Sequence, residues 1–142
     1  MTQLDIPRPE RCVVVVDQGL PAGLAANAAA VLALSLGARC PGLPGPDFRD
    51  AQGVIHPGLI PMGLPILAAP VWRLAALRHA AAADAQLVTV DFPAPGQQTT
   101  DYTAFVDAVG TTPATDLAYL GVAVCGRSKA VRKLTGDLPL LR

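Results

Sequence analysis

The apolar positions of this chain fall in short blocks whose period changes from block to block. Arg11–Val16 reads RCVVVV, a continuous β-branched run of the kind that forms a strand covered on both faces. Turn residues follow in DQGLPAG at 17–23, and Ala22–Leu36 then has high helix propensity until Gly37, where the pattern predicts its stop. That helix is apolar on nearly every side, so it is expected to be buried between the sheet and another element, with Asn27 as its odd polar residue. Pro65–Ala69 reads as a short buried strand, and Val71–Ala83 as a helix with Trp72, Leu74 and Leu77 on one side. Gln86–Phe92 is the next strand, with Asp91 at its carboxyl end, a position favoured by ligand-binding groups in open α/β sheets. A helix over Asp101–Val109, capped by Thr100 or Asp101, precedes a last core strand at Leu117–Cys125. A basic helix from about Ser128 to Leu134 ends at Gly136. Strands alternating with helices through right-handed crossovers predict an α/β fold, a three-layer α/β/α sandwich on a four-stranded mixed, mostly parallel sheet.

Between these blocks, Ala38–Gly63 is rich in glycine and proline, which permits only brief regular structure there. A loop of such length is usually functional or an interface. The 142 residues correspond to one ordinary domain, 1–142. Hydrophobic residues make up 51% and charged residues 15%, so little solvated surface is available and a homo-oligomer, a dimer, is expected. Eleven Lys plus Arg balance eleven Asp plus Glu, so no overall field recruits nucleic acid. The opening MTQLDIPRPERC is unlike a secretory signal, and the apolar helix falls short of the roughly 20 residues that span a bilayer. A cytoplasmic protein without a membrane span is the expectation. Cys12, Cys40 and Cys125 make no paired framework and no C-x-x-C, and Gly19 and Gly23 make no nucleotide-binding loop. Neither a metal nor a cofactor is expected. Cys12 and Cys125 read as small core hydrophobes and Cys40 as a loop thiol.

Three segments resemble the type 2 peptidyl-tRNA hydrolases. RCVVVVDQGLPAGLAANAAA is similar to that family's first strand and helix, with Ala25, Ala26 and Asn27 on its Ala-Ala-Gln triplet. LVTVDFPAPGQQ is similar to its strand ending in the catalytic aspartate and the loop after it, which puts Asp91 on that aspartate and Gln97 among the ligand-binding residues. GVAVCGRSKAVRKLTGDLPLL is similar to its last strand and helix, with Leu134, Thr135, Gly136, Leu138 and Leu140 on the terminal pattern. The whole chain looks like a bacterial family of unknown function assigned to this fold, with its Gly-Leu-Ala-Ala-Asn start, His-Pro-Gly loop and Leu-Thr-Gly-x-Leu-Pro-Leu-Leu end. The resemblance implies a hydrolase architecture, but Gly23 and Ala30 stand where the hydrolases carry a lysine and a histidine. Neither can bind tRNA phosphates or stabilise a developing charge.

In the fold so implied, Asp17, Asn27 and Asp91 converge. Two carboxylates beside a carboxamide position a water or hold a polar ligand, and burial tunes one carboxyl toward acid–base work. His56, in a Pro-Gly-constrained loop, is the second catalytic candidate, with Asp50 six residues earlier to orient it. The expected activity is hydrolysis of a small ester or amide, with Asp91 or His56 activating water and Asp17, Asn27 and Gln97 binding. The competing classes are a non-catalytic small-ligand sensor and a structural oligomer-forming domain. Each candidate also has a plain structural role, as a cap, a loop tie or a strand end. Arg127, Lys129, Arg132 and Lys133 form the basic cluster, which reads as a solvated helix end more readily than as a phosphate site.

Overall fold

The computed structural model describes residues 8–95 and 99–142. The β-branched run becomes β1 (Arg11–Asp17), with Cys12–Val16 all buried, as an unalternating apolar strand requires. α1 (Ala22–Arg39) follows, then a minimal hairpin of β2 (Phe48–Arg49) and β3 (Ile55–His56), so His56 lies in a strand pair within the Gly/Pro-rich segment. β4 (Ile66–Ala69), α2 (Val71–Ala82), β5 (Val88–Pro93), α3 (Tyr102–Gly110), β6 (Tyr119–Gly126) and α4 (Ser128–Thr135) complete the chain.

The protein is a mixed α/β domain whose four-stranded mixed sheet has the order β4-β1-β6-β5. β1 pairs with β4 in parallel, while β6 is antiparallel to both β1 and β5. The expectation of a mostly parallel sheet is therefore corrected. β1, β4 and β5 do share one direction, but β6 starts beside the carboxyl end of β5, where Tyr119 pairs with Pro93, and runs back between β5 and β1. Every position of β6 is buried. Gly121 permits this insertion, because a Cβ there would lie 2.7 Å from both Leu32 Cδ1 and Val15 O.

Alternation along the strands sorts two apolar clusters. Val14, Val16, Ala123 and Cys125 pack with Ala25, Ala28, Leu32 and Leu36 of α1. Val13, Val15, Val122 and Val124 pack with Leu74 and Leu77 of α2 and Val131 of α4. α1 does not stop at Gly37 but runs to Arg39, where the Cys40 N–H bonds the Gly37 carbonyl. A glycine inside a helix costs only about 1 kcal/mol, which burial of Leu32 and Leu36 outweighs. The helix also fails to be covered all round: Leu24, Val31 and Leu34 are exposed on its outer side.

The terminal motif is architectural. Arg73 of α2 donates to the Leu134 carbonyl and pairs with Asp137, fixing the turn after α4. The last residues then run beside β4, with the Ala68 N–H bonding the Pro139 carbonyl and the Leu141 N–H bonding the Ile66 carbonyl. That tail occupies the open edge of β4, which would otherwise present unpaired backbone groups.

Candidate functional site

The residues that the sequence singles out are dispersed by the sheet. Asp17 ends β1, and its Oδ1 accepts from the Gly19 N–H at 2.8 Å in a tight turn. It does not cap α1, whose N-cap is Pro21. Asn27 is not buried but exposed on α1, in line with outward-facing Leu24, Val31 and Leu34. Asp91 is not the end of its strand either, since β5 continues through Phe92 to Pro93. Its cross-strand partner is Val122, which belongs to the α2 side, whereas neighbouring Val90 and Phe92 pack on the α1 side. Paired residues of antiparallel strands share a face, so the Asp91 side chain points toward α2, where Arg78 Nε reaches its Oδ2 at 3.4 Å. Asn27 and the Asp91 carboxylate thus lie on opposite sides of the sheet. Gln97 lies outside the described residues.

His56 keeps the partner foreseen for it. Its Nε2 is 3.0 Å from Asp50 Oδ2, both side chains partly exposed, and its ring stacks on Phe48 at 5.3 Å. The Asp50 carboxylate also accepts from the Gln52 and Val54 N–H groups. The imidazole first, and then the Val54 N–H, hold the Asp50 carboxyl below the usual carboxylate range. A close approach of loops braces this hairpin: the Gly58 N–H bonds Asp47 Oδ1, and a side chain at Gly58 would run into the Gly45 carbonyl. The glycine of the Pro-Gly after His56 is explained by that contact.

A groove of about 480 Å³ opens elsewhere, along the edge strand β5 between α1 and α3. Val31, Ser35 and Arg39 come from α1, Val90, Asp91 and Phe92 from β5, and Thr99, Thr100, Asp101, Tyr102 and Phe105 from the start of α3. Asp101 caps α3 by accepting from the Thr103 N–H at 2.9 Å, the capping role read from the sequence. The Thr99 hydroxyl oxygen is buried without a hydrogen-bond partner among the described residues, and Arg39 has no ion-pair partner among them. The groove therefore joins an apolar floor to the Arg39 guanidinium, several hydroxyls and the residues Asp91 and Asp101, a mixed lining of the kind small-ligand sites carry. Sequence reasoning reached Asp91 and, as helix caps, Thr100 and Asp101, but did not connect them with the other lining residues. Arg39, the cation in the last turn of an otherwise apolar helix, was the available signal.

Comparison with known proteins identifies relatives but no activity. A family model described as "Protein of unknown function (DUF2000)" matches residues 10–142. A solved structure, that of the protein of unknown function Atu0240 from Agrobacterium tumefaciens strain C58, is similar with a TM-score of 0.78. The match covers 92% of this chain and 96% of that chain at 19% identity, a likeness of fold. No curated protein matches.

Proposed function

We propose, on the premise that this chain belongs to the DUF2000 family of proteins of unknown function, that it binds a small amphipathic anion in the groove between α1, β5 and α3. The observation that carries this reading is the Arg39 guanidinium, without an ion-pair partner among the described residues, at one side of an apolar floor made by Val90, Phe92 and Phe105. A guanidinium takes a carboxylate or phosphate in a charge-assisted pair, and the buried Thr99 hydroxyl adds orientation. The helices on both faces of the sheet support a three-layer α/β/α sandwich of the peptidyl-tRNA hydrolase kind. In this reading the family's terminal motif serves that architecture, by seating the tail on β4. The exposed Leu24, Val31 and Leu34 stripe of α1 supports a homodimer.

The test uses octanoate and phenyl phosphate as probes, titrated by calorimetry and by NMR. At least one is expected to saturate the groove with shifts at Ser35, Thr99 and Phe105. Arg39→Ala is expected to weaken it roughly 10-fold or more. Equal binding by the variant, or no binding of either probe to the natural chain, would sink the proposal. Hydrolysis of a small ester or amide is the second reading, favoured by the Asp50–His56 pair at 3.0 Å. It requires p-nitrophenyl ester turnover that His56→Ala removes.

A further inference from the structure

Four sulfur atoms from four separate segments meet in the α1-side core. Cys12 on β1 stands directly opposite Cys125 on β6. Cys40, the C-cap of α1, places its Sγ 3.1 Å from Cys125 Sγ. Met62 of the Gly/Pro-rich segment completes the row, with Cys12 Sγ donating to its Sδ at 3.7 Å. All three cysteines are free and buried among Val14, Leu36, Leu43 and Ala123. Nothing in an apolar core requires three thiols together, since alanine or valine would fill the same space without chemistry.

Two kinds of chemistry suit adjoining thiols, and charge and donor number decide between them. A monovalent soft ion on two or three thiolates, or a divalent ion on three, would leave net negative charge in this apolar cluster, and a divalent ion on two thiolates, though neutral, would lack the further donors of a four-coordinate site among the described residues. A disulfide is neutral and needs no further donor. Its sulfurs would have to close from 3.1 Å to about 2.05 Å. Cys40 is the partner not held in a regular element: it lies just past the helix at φ −122 and ψ 72, and Gly42 turns the chain two residues later at φ +82.

We propose that Cys40 and Cys125 form a modification site, a thiol pair that hydrogen peroxide oxidises to a disulfide tying the end of α1 to the central strand β6. Cys40 is the entry point, because at 6% exposure it is the most accessible of the three, against 2% for Cys12 and none for Cys125. Its sulfur attacks the peroxide O–O bond, becoming a sulfenic acid and releasing one water. Cys125 sulfur then displaces the sulfenic oxygen as a second water. Overall, two S–H bonds and one O–O bond are lost, one S–S bond forms, and the peroxide is reduced by two electrons while both thiol protons leave in water. The hydrogen bond from Cys125 holds the Cys12 thiol below its ordinary value, burial pushes Cys40 up, and the hydrogen bond with Cys12, then burial, push Cys125 up. The raised thiols make the reaction slow beside that of an exposed cysteine.

The experiment exposes the folded, fully reduced chain to hydrogen peroxide and reads intact mass, free thiols and disulfide-linked peptides. A product lighter by about 2 Da is expected, with one free thiol, a Cys40–Cys125 linkage reversed by dithiothreitol, and a Tm raised by roughly 5–10 °C. Cys12→Ala is expected to keep the linkage and Cys40→Ala to abolish it. Retention of all three thiols under conditions that oxidise the unfolded chain would overturn the assignment, as would a Cys12–Cys125 linkage or a product gaining oxygen in place of losing hydrogen. The wild-type peptide map decides the matter even where a variant fails to fold.

Discussion

The two faces of the sheet are finished differently. On the α2/α4 side, helix packing is sealed by ion pairs that cross elements, Arg73 with Asp137 and Arg78 with Asp91, and by the tail on β4. The α1 side is covered by one helix and by an irregular segment from which Leu43, Ile60, Met62 and Leu64 reach the core. It also holds the sulfur cluster and most of the groove's lining, and its outer surface stays apolar. The α2/α4 face thus ties its packing with ion pairs across elements, while Arg127, Lys129 and Lys133 line an open cleft on it without ion-pair partners among the described residues; the α1 face carries the buried thiols and the Arg39 groove. Binding and modification are proposed for the second face because the thiol pair and the apolar-floored groove lie there. Surplus polar or apolar groups have a use only where the fold leaves them without internal partners.

The largest expected effect tests whether α1 is held by its inner row alone. Leu32 is fully buried and touches the position of Gly121, whereas Leu34 is 80% exposed. Leu32→Ala should destabilise by about 2–5 kcal/mol, and Leu34→Ala by less than about 0.5 kcal/mol, measured by urea unfolding. Leu34→Lys should leave monomer stability unchanged and lower the mass seen by sedimentation equilibrium. A large loss of stability in the Leu34 variants at concentrations where the chain is monomeric would erase the distinction between the helix's two sides.

A smaller effect probes the sealed face. The Arg78–Asp91 pair is partly exposed, with side chains 42% and 28% accessible, so solvent screening limits it to about 0–1 kcal/mol. Asp91→Asn should therefore cost little and should leave octanoate binding in the groove almost intact. A loss of binding like that of Arg39→Ala would mean that the Asp91 carboxylate serves the α1 side after all.

This aspartate also marks how far the sequence could be read. The period-2 alternation of VTVDF already separates Asp91 from Val90 and Phe92, but which side meets α1 is decided by β6, which no local pattern places between β1 and β5. Without that antiparallel insertion, Cys12 and Cys125 cannot be seen to face each other. β1, α1, β4 and the final helix were legible because each rests on local periodicity, a turn signal or a stop. Asn27 was misjudged because an all-apolar helix reads as buried on every side, and only the structure distinguishes Leu32 from Leu34. The Asp50–His56 pair was legible because six residues joined by a glycine turn leave little geometric freedom.

That pair offers the finest test of the comparison, since the irregular half of the α1 side depends on turn bonds where the other face uses helices. Asp50 accepts from two backbone N–H groups and from His56, and its carboxyl is held below the usual carboxylate range by these donors. A carboxyl whose folded value is depressed contributes stability above its unfolded value, and that contribution is lost as pH falls through the folded one. The β2–β3 hairpin should therefore keep its His56 contact through neutral and mildly acidic pH and loosen only below the ordinary carboxylate range. NMR titration of the Asp50 carboxyl carbon, with the Val54 amide as a second reporter, should give a common low midpoint. In Asp50→Asn the Val54 amide should lose that transition, while core amides of β6 remain unchanged. A midpoint at or above the ordinary carboxylate value would mean that these donors do not hold the turn, and the covering of the α1 face would then have to rest on the apolar contacts of Ile60, Met62 and Leu64 alone.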